Sequence, residues 1–323
     1  MNLHENKELF ADAIVAASQS EKDGGLGIKR VFLEKDYWIT RSLKLLSESP
    51  CFSEAVFKGG TSLSKVYGLG YRFSEDVDIA VVSNPQRTDN QTKTLVSNIC
   101  RTMSGGLEEI SLPDTRKFSK YRKVYYRYPQ IVGLDDAIKV KPGVIQFEIV
   151  SFANPYPYQT RNIDSLLGQF LTLQGREDLV AEYGLNSFEV NVLDINRTAT
   201  EKIVSLIRQS LANNFLTELR TKIRHFYDLH FLWNDPQCKA YLQSQTFKED
   251  FNRLLTEDQG RFKEPIGWQN KHLADSPLLT QFSDVWKELE IVYEEELPEL
   301  AYKTIPIADE VCESITQVLG LFL

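Results

Sequence analysis

Apolar and polar positions divide the chain into an amino-terminal part with both strand and helix patterns and a carboxy-terminal part that is mainly helical. Two helical segments, HENKELFADAIVAASQS and LEKDYWITRSLKLLSES, come first, and NQTKTLVSNICRTM predicts another helix. Alternating apolar residues predict strands in VIQFEIVSF, from Val144 to Phe152, and in NSFEVNVLD. These patterns predict an α/β (α+β) fold, in which a small mixed sheet flanked by helices is followed by a helical half.

The pattern becomes predominantly helical near Asp194 to Thr198. We therefore expect two domains: residues 1–196, which combine the amino-terminal helices with the sheet, and residues 197–323, which are helical. With 323 residues, the chain is long enough for two substructures around sizeable cores. Neither part of the sequence contains an internal repeat or a low-complexity tract.

The composition is that of a globular protein, with 42% hydrophobic and 25% charged residues. No apolar stretch approaches the length of a membrane span, and the opening MNLHENKELF is too polar for a signal peptide. We therefore expect a cytoplasmic protein with no membrane partner. The cysteines are scattered without a CxxC pair, which favours free thiols over disulfides or zinc: Cys51, Cys100, Cys238 and Cys312.

One run in the first quarter of the chain, FKGGTSLSKVYGLGYRFSEDVDIAV from Phe57 to Val81, carries the clearest chemistry. An apolar stretch breaks at Gly59-Gly60 and continues into a helical pattern. The two glycines let the backbone approach a ligand closely. A helix that begins beside them presents free N–H groups and the positive end of its dipole, which suits a phosphate. Alone, however, a glycine pair before a helix is usually a tight turn.

Two carboxylates, Asp76 and Asp78, close this run. Residues two apart on a strand point to the same face, so the carboxylates would converge while the apolar residues beside them pack behind. Oxygen ligands of this kind suit Mg²⁺. A lone pair of this type is usually a solvated strand end, but a phosphate-binding turn beside it indicates phosphoryl or nucleotidyl transfer. Arg72 and Ser74 add polar groups next to the acidic pair.

At this motif the chain resembles a known family. GGTSLSKVYGLGYRFSEDVDI is similar to the first motif of the AbiEii/AbiGii-type nucleotidyltransferase toxins, a branch of the DNA polymerase-beta-like superfamily. FLEKDYWITRSLKLL, RTATEKIVSLI and KIRHFYDL also resemble family segments, so the resemblance extends from about Phe32 to Leu229. It implies a polymerase-beta-like nucleotidyltransferase core, a nucleoside triphosphate (NTP) substrate and a Mg²⁺ cofactor.

The resemblance also implies which residues bind the nucleotide and the metal. Asp76 and Asp78 would hold one Mg²⁺ that orients the triphosphate. Lys65 could reach the phosphates, or it could face water. The residues expected to bind the nucleotide lie in the glycine turn, in the helix after it and just before the acidic pair. They are Gly59, Gly60, Thr61, Ser62, Lys65, Arg72 and Ser74.

A third carboxylate, Glu148, interrupts the apolar strand pattern of VIQFEIVSF. An isolated acid among apolar neighbours would carry a large desolvation penalty if buried, and a metal or cation beside it removes that penalty. The alternative is that Glu148 emerges at a solvated face of the sheet. The third acid of the superfamily occupies such a strand, so the resemblance implies a second Mg²⁺ shared by Glu148. Glu148 could instead act as a general base.

Two further candidates lie far along the chain. The resemblance implies that Lys202, in RTATEKIVSLI, contacts the nucleotide and that Asp228, in KIRHFYDL, is functional. The residues themselves allow a plainer interpretation of Asp228. Arg224 lies four positions earlier on the same predicted helix face and could form a surface ion pair with it.

The net charge of −8 argues against nucleic acid binding over a wide face. A polynucleotide would have to meet a local patch, and the run from Arg116 to Tyr128 is the candidate, because it is rich in Lys, Arg and Tyr and contains no acid. Cations neutralise phosphates, and tyrosine rings stack on unpaired bases. Alternatively, the run is an edge strand whose cations discourage pairing with other chains.

The resemblance therefore implies a toxin of a toxin–antitoxin or phage-defence system, with a cognate antitoxin as a partner. It would transfer a nucleotide from an NTP to a macromolecular hydroxyl, by resemblance the 3′ end of tRNA, which would halt translation and growth. The alternatives are transfer to a protein or a small molecule, and a non-catalytic nucleotide-binding module. The intact set of Asp76, Asp78 and Glu148 argues against the last of these.

Overall fold

The computed structural model describes residues 1–74, 76–131, 133 and 141–322. A mixed eight-stranded sheet is flanked by helices and followed by a helical half, which confirms the predicted α/β fold class. The strands are β1 (Ala55–Lys58), β2 (Asp76–Val81), β3 (Glu108–Ile110), β4 (Arg116–Lys117), β5 (Tyr121–Arg127), β6 (Val144–Val150), β7 (Tyr158–Ile163) and β8 (Phe188–Leu193).

Helices surround the strands in the first part of the chain and then continue to its end. Six precede or alternate with the strands: α1 (Lys7–Ser18), α2 (Arg30–Ser47), α3 (Gly59–Tyr67), α4 (Asp89–Ser104), α5 (Leu166–Leu173) and α6 (Glu177–Glu182). The helices after the last strand are α7 (Ile195–Ser210), α8 (Phe215–Arg220), α9 (Ile223–Asn234), α10 (Pro236–Leu242), α11 (Gln245–Arg261), α12 (Pro277–Thr280), α13 (Phe282–Leu300) and α14 (Ala308–Leu319).

The fold divides into two compact units, and the first comprises Met1–Tyr67 and Phe73–Leu193. Its sheet has the strand order β3-β5-β6-β2-β1-β8-β7, with β4 also paired to β5. β2 and β6 lie side by side and run parallel. Their alternate apolar side chains are fully buried, and α2 and α4 pack against β6. The polar side chains of these two strands are only partly buried and lie on the opposite face, which is described below: Asp76, Asp78, Gln146 and Glu148.

The cationic run occupies β4, a short turn and β5. β5 pairs with β6 along its whole length and with β3 and β4 on its other side. The alternative that this run is an edge strand is therefore wrong for β5, which lies inside the sheet. The middle of β5 is buried accordingly: Val124, Tyr125 and Tyr126 all lie in the core.

The second unit comprises Gly68–Arg72 and Asp194–Leu323. α10 and α11 pack against α7, whereas α10, α13 and α14 pack against α9. Large aromatic side chains are buried between these helices, among them Phe226, Trp286 and Tyr293. No helix in the described part of the chain is both long and apolar enough to span a membrane. The cysteines are free, as predicted: Cys51, Cys100, Cys238 and Cys312.

Candidate active site

Asp76 and Asp78 lie on one face of β2, as the alternation of the sequence predicts. Both are partly buried, whereas Val77 and Ile79 between and after them are fully buried in the core. Their backbone is fixed from α3, because the hydroxyl of Thr61 donates a hydrogen bond to the carbonyl oxygen of Asp76 at 2.6 Å. The strand therefore presents two carboxylates on its polar face while its apolar face anchors it.

Glu148 is the neighbour of Asp78 across the sheet. In the parallel pairing of β2 with β6, Asp78 lies opposite Glu148 and Asp76 lies opposite Gln146. Residues paired in this way project from the same face of a sheet with their β-carbons close together. The three acids thus share one face of two adjacent strands. Among the residues that the structure describes, no three His, Cys, Asp or Glu side chains are grouped closely enough to hold a metal ion.

A row of four charged residues crosses four strands at this point, with the two acids on the central pair of strands. Lys58 on β1 is the register partner of Asp78, and Lys123 on β5 is the register partner of Glu148. The two acids are therefore flanked by a cation on either side. The ammonium group of Lys123 is bound to Asp114 at 2.7 Å. The sequence analysis missed Lys58. Its position directly before the glycine turn, on a strand beside the acidic strand, could have identified it.

The turn from β1 into α3 is built around Asp78. Gly59 has a φ angle of +79°, and a β-carbon at this position would lie 2.0 Å from Oδ2 of Asp78. Only glycine meets both conditions without strain. Thr61 and Ser62 were expected to contact phosphates, but both side chains are buried, and the Ser62 hydroxyl donates to the carbonyl of Gly59 at 2.8 Å. Their hydroxyl groups therefore support the turn, and backbone N–H groups at the start of α3 remain for a ligand.

Lys65 lies in a buried ion pair rather than at the surface. Its Nζ atom donates to Oδ1 of Asp36 at 2.5 Å, and only 8% of its side chain is exposed. The alternative that Lys65 faces water is therefore wrong. The other oxygen of Asp36 accepts a hydrogen bond from the backbone N–H of Leu166 at 2.8 Å. Asp36 thus ties α2 to α3 and to the start of α5, which fixes the helix that follows the glycine turn.

Tyr121, the first residue of β5, contacts the third acid. Its hydroxyl group lies near enough to the side chain of Glu148 to interact with it. Burial, together with the negative charges of Glu148 and Asp78, raises the pKa of Tyr121 to about 12, so the hydroxyl stays protonated and is available as a donor to the carboxylate. The sequence analysis expected this ring to stack on a base and missed its contact with Glu148, because the register of β5 against β6 cannot be read from the sequence.

The other tyrosines of the cationic run do not face solvent. Tyr125, Tyr126 and Tyr128 are 3%, 5% and 1% exposed, so the expectation that their rings stack on bases is wrong. Although the run itself contains no acid, its cations have acidic partners from other segments. These pairs are Lys117 with Glu109, Lys120 with Asp89, Lys123 with Asp114 and Arg127 with Glu108.

The remaining candidates form a buried cluster in the second unit. Arg72 donates two hydrogen bonds to Asp228, from Nε to Oδ1 at 2.8 Å and from Nη2 to Oδ2 at 2.7 Å. Lys202 donates to the same Oδ2 at 2.6 Å. All three side chains are buried, so the alternative of a surface pair between Arg224 and Asp228 is wrong. Ser74 is buried in the first unit, two residues before Asp76.

Opposing effects set the ionisation of Asp228. Burial alone would raise the pKa of this carboxyl group, but the positive charges of Arg72 and Lys202 lower it below its ordinary value. Asp228 is therefore a carboxylate held between two cations. Burial and the charges of Lys202 and Lys222 keep the pKa of the neighbouring His225 well below its usual value, so that imidazole ring is neutral.

Comparison with known proteins supports the family resemblance. The family model described as "Nucleotidyl transferase AbiEii toxin, Type IV TA system" matches residues 41–309, which is most of the chain, and the predicted resemblance is confirmed. No curated protein gives a significant match.

Two solved structures are similar to this chain at low sequence identity. One is MenT4, the nucleotidyltransferase toxin Rv2826c from Mycobacterium tuberculosis H37Rv. It is 17% identical with a TM-score of 0.49, and the match covers 97% of this chain and 98% of that chain. The other is JHP933 from Helicobacter pylori, which is 17% identical with a TM-score of 0.38, over 83% of this chain and 94% of that chain.

Proposed function

Because the chain belongs to the AbiEii family of nucleotidyl transferase toxins of type IV toxin–antitoxin systems, we propose that it transfers a nucleotide from an NTP to the 3′ end of tRNA. The observation that carries this proposal is the position of Asp78, which lies against Gly59 at the start of α3 and beside Glu148 on β6. The start of α3, which suits a phosphate, therefore lies beside the carboxylates of Asp78 and Glu148 in the first unit.

The first turn of α3 would bind the triphosphate. Backbone N–H groups at a helix start have no partners within the helix, and the helix dipole favours an anion there. Lys58, the register partner of Asp78, adds a cation directly before this turn. Thr61 and Ser62 would act indirectly, because their hydroxyl groups hold the backbone of β2 and of the turn.

Asp76 and Asp78 would hold Mg²⁺, since carboxylate oxygens on one face of a strand are donors of the kind that this ion prefers. When bound, the ion would neutralise phosphate charge and make the α-phosphorus more susceptible to attack. The protein orients the donors through two contacts. Thr61 fixes the backbone of Asp76, and Gly59 leaves the space that the carboxylate of Asp78 occupies.

Glu148 would accept the proton of the attacking hydroxyl group on a carboxylate oxygen. The hydroxyl oxygen then forms a bond to the α-phosphorus of the NTP. The bond from that phosphorus to the bridging oxygen breaks, and pyrophosphate leaves with the electron pair. The protonated hydroxyl of Tyr121, which interacts with Glu148, would donate to this carboxylate and hold its orientation.

A nucleotide added to the 3′ end of tRNA would block aminoacylation and so halt translation. Both substrates are found in the cytoplasm, which is where the proposed reaction would take place. Membership of a toxin–antitoxin family implies an antitoxin partner. Growth arrest in infected cells is the route by which such a toxin would act in phage defence.

The proposal is tested by incubating purified protein with each α-labelled NTP, Mg²⁺ and total RNA, and separating the products on a denaturing gel. We expect label in a tRNA-sized band with the wild type and none with Asp76→Ala. Asp178→Ala, which changes an exposed carboxylate of the same unit, is the control and should label as the wild type does. Label in a protein band would identify a protein acceptor. NTP binding without any labelled product would identify a non-catalytic module.

A further inference from the structure

The turn between β4 and β5 carries an exposed aromatic side chain. All residues from Arg116 to Lys120 are exposed, and Phe118 is 62% exposed at the centre of this segment. The only other aromatic residue among the exposed large hydrophobic residues of the described chain is Tyr156, whose ring packs on that of Tyr158. A single exposed apolar side chain is ordinary by itself, so the role of Phe118 has to be argued from its fixed position and its neighbours.

This turn is attached to the strands that carry the proposed site. The backbone N–H of Phe118 donates to the carbonyl of Tyr121 at 2.8 Å, and the hydroxyl of Tyr121 reaches Glu148. The carbonyl of Lys120 accepts two hydrogen bonds from Ser151, the residue after β6, from its backbone N–H at 2.9 Å and from its hydroxyl at 3.1 Å. Phe118 is thus held in a fixed turn that starts three residues before the tyrosine that lies near the third acid.

The charges around Phe118 suit a polyanion. Arg116, Lys117 and Lys120 are exposed on either side of it. Lys117 is paired with Glu109, and Lys120 with Asp89 at 2.8 Å, but all four side chains are substantially exposed. Exposed ion pairs of this kind contribute little to stability, so phosphate groups can displace their acidic partners.

We propose that Phe118 stacks on an unpaired base at the 3′ end of the RNA acceptor, with Lys117 and Lys120 against the adjoining phosphates. This inference rests on the proposed function and names the residues that would bring the acceptor hydroxyl to Glu148. An aromatic ring between cations is the usual platform for single-stranded nucleic acid, and it tolerates any base. Phe118 would perform the stacking role for which Tyr125, Tyr126 and Tyr128 are too deeply buried.

A partner protein is less well suited to this turn. Protein interfaces centre on several apolar side chains that exclude water together. Phe118 instead stands among Arg116, Lys117, Ser119 and Lys120, all of which are polar and exposed. A single ring flanked by cations matches one base and its phosphates better than a hydrophobic patch.

The test measures binding of a short fluorescent single-stranded RNA by anisotropy, together with the kinetics of transfer to RNA. Phe118→Ala should weaken RNA binding by about 5- to 150-fold, the range for loss of one stacked base. It should raise KM for RNA while leaving NTP affinity unchanged. Phe118→Trp should retain binding. Leu173→Ala, which truncates another exposed apolar side chain of the first unit, should bind RNA as the wild type does.

A change of salt concentration separates stacking from charge. Lys120→Ser should flatten the salt dependence of RNA binding, whereas Phe118→Ala should lower affinity equally at every salt concentration. Equal RNA affinity of the wild type and Phe118→Ala would overturn the inference, as would a wild type that binds no RNA.

The two proposals fail in different ways. Nucleotide transfer to RNA that does not depend on Phe118 would overturn this inference and leave the proposed function intact. RNA binding that depends on Phe118, without transfer to any RNA, would uphold the inference and overturn the proposed function. If Phe118→Ala impaired transfer only to a protein acceptor, the turn would be a protein-binding element and the inference would be wrong.

Discussion

A β-carbon on Gly59 would lie 2.0 Å from Oδ2 of Asp78. The carboxylate of Asp78 therefore occupies the space that any other side chain at position 59 would fill. This relationship joins the start of α3, where a phosphate is favoured, to an acid on β2. It also explains why a glycine with a positive φ angle stands at the end of β1.

We predict that Gly59→Ala removes activity out of proportion to its effect on stability. The added carbon must displace Asp78, so transfer should fall by at least about 10²-fold, the loss expected when one group that stabilises the transition state is removed. Backbone strain should lower the free energy of unfolding by about 1–2 kcal/mol. Gly106→Ala is the matched control, because Gly106 has a φ angle of +86° and nothing lies within 4 Å of an added carbon. Equal activity of the two variants would contradict the role given to Gly59.

Asp78→Asn should abolish transfer without unfolding the protein. Asp78 and Glu148 are register partners, so removing one negative charge reduces repulsion across the two strands. We expect transfer to fall by at least about 10²-fold, while the urea midpoint stays the same or rises. The control is Asp178→Asn, at an exposed carboxylate, which should change neither property. A large loss of stability in Asp78→Asn would show that the carboxylate has a structural role instead.

Tyr121→Phe tests the interaction of the Tyr121 hydroxyl with Glu148. The ring remains, but the carboxylate loses the donor that orients it. The kcat should therefore fall by about 10- to 150-fold, which corresponds to the ~1.5–3 kcal/mol of one hydrogen bond to a charged group. KM for the NTP should stay constant. Tyr126→Phe removes the same atom from a residue whose hydroxyl contacts Glu109 at 3.4 Å, and it should keep the kcat of the wild type. If kcat were unchanged in Tyr121→Phe, the hydroxyl would have no part in orienting Glu148.

Asp228→Asn should destabilise the protein strongly. The change leaves Arg72 and Lys202 buried without the carboxylate that both contact, and breaking a buried pair in this way costs about 3–5 kcal/mol. Urea unfolding measures this loss, with Asp178→Asn as the exposed control.

Nucleotide affinity of Lys202→Met, measured where that variant is folded, tests the separate prediction that Lys202 contacts the nucleotide. Wild-type affinity would make Lys202 a structural partner of Asp228 only.

The stabilising effect of Asp228 should depend on pH. The pKa of this carboxyl group lies below its ordinary value in the folded protein, so the folded state favours the ionised form. The stabilisation is complete above the unfolded pKa of about 3.9 and is lost as the pH falls towards the folded pKa. The difference in unfolding free energy between the wild type and Asp228→Asn should therefore shrink from about pH 5 downward. A difference that is constant from pH 7 to about pH 3 would contradict this account.

Much of the sheet could be predicted, because alternation along β2 and β6 reveals which residues face the core. The same rule predicted that Asp76 and Asp78 share a face. It could not reveal that Lys58, Asp78, Glu148 and Lys123 form one row, since register between strands depends on pairing across the sheet. β7 carries no comparable alternation in YQTRNI, and it forms because β8 offers it a pairing edge.

The tyrosines of the cationic run show a second limit. A tyrosine between cations looks the same in sequence whether its ring stacks on a ligand or packs in the core. Here the rings of Tyr125 and Tyr126 pack in the core, because β5 is paired inside the sheet. The bond between Arg72 and Asp228 joins residues 156 positions apart. No local pattern predicts such a contact, which is why a nearer partner, Arg224, was the plainer interpretation from sequence.

The central claim is attack by an RNA hydroxyl on the α-phosphorus of an NTP at Asp76, Asp78 and Glu148. The most direct measurement compares transfer from one NTP labelled at either the α- or the γ-phosphate, with tRNA as the acceptor and release of pyrophosphate followed in parallel. The account predicts that the RNA becomes labelled only from the α-position, with one pyrophosphate released for each nucleotide added. Labelling of the RNA from the γ-position would identify a phosphoryl transferase and would contradict the account.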